Sequence, residues 1–562
     1  MKTILLSKKL SLLMFAFVFI ALCGVDTFAG PAQIVVVNIN APGVGFNDPT
    51  PAAPVGGNTG TTLGQQRLNA FQHAANLWGA RLDSNVPIRI RAQFTPLGAG
   101  VLGSAGAISV VRDFPNAPLP ATWYHVALAN KLAGVDLLPA NDDINANFST
   151  NFNFYLGLDN NHGTQPDLVV VLLHEFAHGL GFSQFASLGT GALFSGFPDV
   201  YNSKLLDLST GLHWNQMTNA QRLASATNFG RVVWDGAFVT AGVPSVLVFG
   251  SPGVQVSSPA AIAGPYQFGS AAFGPTVGNP NVSANIVEAI DAADAAGPAT
   301  TDGCSTILNA AAVAGKIVLI ERGTCGFAQK ARNATLAGAA AVIIYNNAAN
   351  VNAAPPGMAD DGINGQFVTI PTVSIRRADG LAIIGQLVGG VAANIGVDLS
   401  IRAGADAAGR ARVFAPFPVV GGSSISHYDT VAFHNLLMEP AINGDLTHKV
   451  KAPDDLTFEL LRDEGWTFPD ADNDGVADDE DCNPNSDTSP TIVLCGRNTG
   501  VPNTLFANGC TMSDLIAQLA ASAGNHGQFV SSVAHLTNQW VLDGLITGQQ
   551  KGAIQSAAAR CR

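Results

Sequence analysis

The sequence predicts an α/β (α+β) protein of several domains in which one α/β unit interrupts another. Three observations carry that prediction. The chain has 562 residues, of which 47% are hydrophobic and 12% charged, too many for one small core and too apolar for a disordered chain. A strand–helix–strand pattern occurs between Gln33 and Phe94 and again between Lys316 and Tyr345. The 60 glycines and 31 prolines supply the turns that many short strands need.

The first unit opens with the apolar run Gln33–Val37, read as a strand. Over Leu63–Leu82, the residues Leu68, Phe71, Ala75, Trp78 and Leu82 recur on one face, as in an amphipathic helix. Val86–Phe94 alternates like a strand, and Ile144–Phe148 is a short strand whose edge could pair with an extended peptide. Pro166–Leu180 reads as a helix. Its run Val169, Val170, Val171, Leu172 and Leu173 implies burial all round, and Gly179 and Gly181 mark its end.

Near residue 240 the chain becomes rich in Ala, Gly and Val. Strands are expected at Lys316–Ile320, Ala341–Tyr345 and Thr372–Ile375, with a helix over Ala328–Ala339. Residues 412–468 return to aromatic and polar composition and end in a helix, Leu456–Glu464. An acidic run, 469–482, leads to a tail with helices at Asp514–Ala523 and Gly527–Leu536. The expected units are 1–29, 30–245 continued by 406–468, 246–405 inserted between them, 469–497, and 498–562.

Lys2, Lys8 and Lys9, the apolar stretch Leu10–Leu22 and the small-residue site Thr27-Phe28-Ala29 form a secretory leader pattern, which predicts export to the extracellular side. No later run is long and apolar enough to cross a bilayer. The net charge of −13, without a Lys/Arg-rich run, argues against nucleic acid as a partner. Of seven cysteines, Cys23 lies in the leader. The even remainder in an exported chain predicts disulfides, paired between sequence neighbours as Cys304–Cys325, Cys482–Cys495 and Cys510–Cys561.

The segment HEFAHGLGF, from His174, carries the chemistry. Residues four apart share a helix face, so His174 and His178 offer two imidazoles to one metal ion, with Glu175 adjacent as a general base. Zinc (Zn2+) suits that donor set, and a catalytic site needs a third protein ligand. Asp199, Asp207, His213, His427 and His434 are the candidates. The expected activity is zinc-dependent endopeptidase cleavage of extracellular proteins or peptides. The alternative is a secreted binding or adhesion protein with an inactive peptidase fold.

HEFAHGLGF resembles the metzincin pattern HExxHxxGxxH, but Gln184 stands where the last His would be. The stretch SSISHYDTVAFHNLLMEP, residues 423–440, resembles the leishmanolysin-like group of metzincins. That resemblance implies His427 as third ligand, Met438 as the Met-turn residue, and 454–466 as the closing helix of a metzincin-like catalytic domain. GKIVLIERGTCGFAQKARNATLAGAAAVIIYNN, residues 315–347, resembles the protease-associated domain, in which Cys304 is the usual partner of Cys325. DADNDGVADDEDCNP, from Asp470, is similar to thrombospondin type 3 repeats. Asp470, Asp472, Asp474, Asp478 and Asp481 follow a calcium-loop (Ca2+) spacing around Gly475.

Overall fold

The computed structural model describes residues 30–561, so the leader pattern lies outside the described residues. Strands β1 (Ile34–Asn38), β2 (Ile88–Thr95), β3 (Gly103–Ala107) and β4 (Ile144–Ser149) form one sheet in the order β1-β2-β4-β3. The first three strands in that order run parallel, and β3 closes the edge antiparallel to β4. Helix α1 (Leu63–Arg81) makes the crossover between β1 and β2 that parallel strands require. The expectation that Ile144–Phe148 offers an edge is corrected. β4 is interior, and the free edge belongs to β3, a GSAGA segment without the β-branched residues that announce a strand.

Helix α2 (Leu168–Leu180) carries the HExxH motif, and all its residues are buried. Asp167 caps it, its carboxylate accepting the Val169 N–H at 2.8 Å. Trp78 of α1 donates its indole N–H to the Leu173 carbonyl at 3.1 Å. On the sheet side Gly179 lies against Ile144, where an added Cβ would stand 2.5 Å from a side-chain carbon.

A single core draws on residues from Ala32 to Leu247 and again from Ala405 to Trp466. Between these halves the chain leaves by β5 (Phe249–Ser258) and returns by β10 (Ala392–Arg402), which pair antiparallel along their length. They lead into a module with its own sheet, whose parallel strands are β6 (Val282–Glu288), β7 (Ile317–Glu321), β8 (Ala341–Tyr345) and β9 (Thr372–Ile375). Helix α3 (Phe327–Leu336) connects β7 to β8, and separate apolar clusters cover the two faces of the sheet. Helix α4 (Thr457–Glu464) then completes the first core, and Trp466 donates its indole N–H to Leu180 O at 3.0 Å.

The tail is less purely helical than its sequence suggests. A hairpin, β11 (Thr491–Leu494) and β12 (Arg497–Pro502), packs with α5 (Met512–Ser522), α6 (His526–Leu542) and α7 (Gly548–Ala558). Cys304 pairs with Cys325 as expected. The other two bridges differ: Cys482 joins Cys510, and Cys495 joins Cys561. Cys495 sits in the hairpin turn, and α7 packs on that hairpin, which brings Cys561 to it. Proximity along the chain is therefore the wrong guide here. Among the described residues no helix is long and apolar enough to cross a membrane.

Candidate metal centre

Helix α2 sets His174 and His178 one turn apart. The returning half of the core brings His427 to the same point. Ligand atoms of His174, His178 and His427 lie within 4.8 Å of one another. Nε2 of His174 and Nε2 of His427 are 3.3 Å apart, across 253 residues of sequence. His427 is placed by backbone bonds on both sides: Phe414 N–H donates to His427 O at 2.9 Å, and Tyr428 N–H donates to Met438 O at 2.8 Å.

Each imidazole spends its Nδ1 on a backbone carbonyl: His174 on Leu437 O at 2.7 Å, His178 on Phe182 O at 2.7 Å, His427 on Ser423 O at 2.9 Å. A carbonyl only accepts, so Nδ1 carries the hydrogen and Nε2 keeps a free lone pair. Burial, with the charge of His178 next, drives the His174 pKa down to about 3. Burial takes His178 to about 4. Burial and the two neighbouring imidazoles push His427 well below its ordinary value. Three neutral rings thus aim lone pairs at one point, an arrangement that is repulsive without a cation and favourable around one. The residues fit zinc: three nitrogen donors, oriented through their second nitrogens.

Glu175 is 7% exposed, and burial pushes its carboxyl up to about 8, although the Ala105 N–H of edge strand β3 donates to it. A nearby cation would pull that value down. Gly103 on β3 lets the strand close over this carboxylate, since an added Cβ would meet Glu175 Cγ at 3.0 Å. The centre has the donor set and adjacent carboxylate of a zinc hydrolase. Sequence reasoning missed Gly103 and Ala105, whose only signal is an absence of bulk. It also missed buried His125, which stands beside His178 and hydrogen-bonds Ser183 Oγ at 2.7 Å.

The other candidates for third ligand are engaged elsewhere. Asp199 accepts the N–H groups of Phe185 and Asn202 at 2.7 Å each, and burial raises its carboxyl to about 7. Asp207 accepts from Ser209 N–H and Asn228 Nδ2 at 2.8 Å. His213 pairs with Asp235 at 2.9 Å, and His434 stacks on Phe433. Gln184 lies by the His427 segment, its backbone N–H donating to Ser426 Oγ at 3.4 Å. Met438 is fully buried beyond Leu437. In the acidic run, carboxylate oxygens of Asp470, Asp472 and Asp474 gather within 4.8 Å. Asp478 accepts the Ala471 N–H instead, and Asp481 accepts the Asn483 N–H.

Residues 282–383 match the PA domain family. An aminopeptidase of Pseudomonas aeruginosa (strain UCBPP-PA14) is 50% identical over 66 residues, 12% of this chain and 12% of that protein. Human (Homo sapiens) ER degradation-enhancing alpha-mannosidase-like protein 3 is 40% identical over 87 residues, 15% of this chain and 9% of that one. Among solved structures, BSAP, a zinc aminopeptidase from Bacillus subtilis, overlaps with a TM-score of 0.20 at 24% identity, covering 28% of this chain and 36% of that chain. The chain therefore spans a small part of the curated relatives it matches. These comparisons correct the resemblance to the leishmanolysin-like metzincins: the peptidases among the curated relatives that match are aminopeptidases. The Met-turn role of Met438 rested on that resemblance and goes with it, whereas the helix expected within 454–466 forms and completes the first core. What stands is a mixed α/β unit with a three-histidine centre, interrupted by a segment of the PA domain family.

Proposed function

We propose that this protein is a zinc-dependent peptidase whose ion is held by His174, His178 and His427 and whose general base is Glu175. The convergence of three buried Nε2 atoms beside one carboxylate is the observation that carries this reading. When bound, zinc supplies a Lewis acid that acidifies a water and polarises the scissile carbonyl. Glu175 takes the proton of the attacking water on its carboxylate and delivers it to the leaving amine. The Ala105 N–H orients that carboxylate. The free edge of β3 offers its unpaired backbone groups to an extended substrate.

A second reading concerns which bonds are cut. The names of the relatives favour removal of amino-terminal residues, whereas the open edge of β3 favours an extended chain passing through the site. We also assign the Asp470, Asp472 and Asp474 cluster to a divalent cation, calcium by its oxygen donors.

The test uses the purified protein, zinc analysis, casein cleavage and hydrolysis of aminoacyl chromogenic amides. Glu175→Gln is expected to keep zinc and lose about 10²–10⁴-fold in rate. His427→Ala is expected to lose both zinc and activity. Retention of full zinc content and rate by His427→Ala would remove that residue from the centre. Activity on the amides but not on casein would establish the aminopeptidase reading. Zinc binding with no hydrolysis of either substrate would leave a binding protein.

A further inference from the structure

The loop that delivers His427 is held from its own core at one end and from outside that core at the other. Its neck is closed by Phe414 and His427, with Ile425 N–H donating to Phe414 O at 2.8 Å. Inside the loop, the Val420 N–H donates to Ser424 Oγ and the Ser424 N–H to Val420 O, each at 2.9 Å. Ile425 has φ of 71°, a left-handed conformation that a buried β-branched residue adopts only under constraint. The backbone leading into the third histidine therefore needs support.

Tyr201 of the same core supplies part of it, its hydroxyl donating to Ile425 O at 3.0 Å, and the inserted module grips the loop farther upstream. Among the described residues, the one hydrogen bond that leaves residues 415–422 for another segment runs from the Phe417 N–H to Gln267 Oε1, at 2.9 Å. The Arg376 guanidinium lies over the Phe417 ring, 4.7 Å from its centroid. Arg376 is itself fixed by a two-pronged pair with Asp379, at 2.7 and 2.6 Å. Gln267 and Arg376 both belong to the module entered through β5 and left through β10. Phe417 lies six residues before Ser423, whose carbonyl takes the His427 Nδ1–H.

We propose that Gln267 and Arg376 are positioning residues through which the inserted module holds His427 in register with His174 and His178. The module then completes the metal centre without touching the metal, and its docking governs metal affinity. This proposal rests on the zinc-centre reading above.

The experiment compares the full chain with a Gln267→Ala/Arg376→Ala double variant. Zinc affinity is read by competition with a chromogenic chelator, coordination geometry by the visible absorption of the cobalt-substituted protein, and turnover by kcat and KM. The double variant is expected to bind zinc about tenfold more weakly, the size of effect that outer partners of metal ligands have. Its cobalt spectrum should change, and kcat should fall more than KM rises. Gln267→Glu, which keeps an acceptor for the Phe417 N–H, should retain wild-type affinity. Arg332→Ala removes a guanidinium stacked on Phe367 within the module and should leave affinity unchanged. Wild-type affinity and spectrum in the double variant would overturn the proposal, as would an equal loss in Arg332→Ala. If the double variant does not fold, Asp379→Asn frees Arg376 from its carboxylate and must weaken zinc binding, or the proposal fails. A wild-type protein that holds zinc yet cleaves nothing would refute the peptidase reading while the affinity and cobalt arms still judge the grip.

Discussion

Gly179→Ala tests how the metal-bearing helix is seated. An added Cβ would lie 2.5, 2.7 and 2.8 Å from three side-chain carbons of Ile144. Carbon atoms settle at about 3.5–4.0 Å, so the contact is short by roughly 1 Å. Ile144 cannot yield easily. It is fully buried, stiff at χ1, and on a strand paired on both sides, with Ile90 and with Ala107. The helix must move or the core must strain, at a cost of about 1–3 kcal/mol. If the helix moves, His178 moves with it, and a displacement of about 1 Å at a reacting centre costs about 10²-fold in rate. Urea denaturation, chelator competition for zinc and kcat/KM measure the three consequences. Adding Ile144→Ala should relieve the clash, so the double variant should be more stable than the sum of the single effects by about 0.5–3 kcal/mol. Wild-type stability, zinc affinity and turnover in Gly179→Ala would refute this account of the seating.

Two further outcomes are expected. Burial pushes the Glu439 carboxyl from 4.5 up to about 8, so the folded state favours its protonated form. That contribution is complete below pH 4.5 and is lost as pH rises through about 8; Glu439→Gln should flatten the decline of Tm over that range, and an unchanged Tm profile would count against it. Calcium added to chelator-treated protein should raise Tm, by the equivalent of about 2.7 kcal/mol at a hundredfold excess over Kd. The triple change of Asp470, Asp472 and Asp474 to Ala should abolish the rise and leave the zinc content intact; a rise that survives it would place the calcium elsewhere.

Much of the first unit was legible because burial leaves a period in the sequence. The face Phe71, Ala75 and Trp78 of α1 and the uninterrupted apolar run of α2 were visible, and both helices formed. The expected strands of the inserted module agree with β7, β8 and β9 to within a residue or two. β3 was invisible because Gly103 and Gly106 have no side chain, and Ala105 only a methyl group, to declare a strand. Its role is to approach Glu175 closely, which small residues permit. The disulfides of the tail were misread because pairing follows the packing of α7 on the hairpin rather than spacing along the chain.

The sequence alone determined the pair of histidines with their carboxylate, since a helix converts a spacing of four into one face whatever surrounds it. It left Asp199, Asp207, His213, His427 and His434 as rivals for the third position. Only the tertiary structure decided that His427 meets the other two, because residues 253 apart are joined by the closure of a shared core and not by any local period. The grip of Gln267 and Arg376 on Phe417 is of the same kind. It joins a module to a loop through one hydrogen bond and one stacked guanidinium, contacts that no sequence pattern encodes.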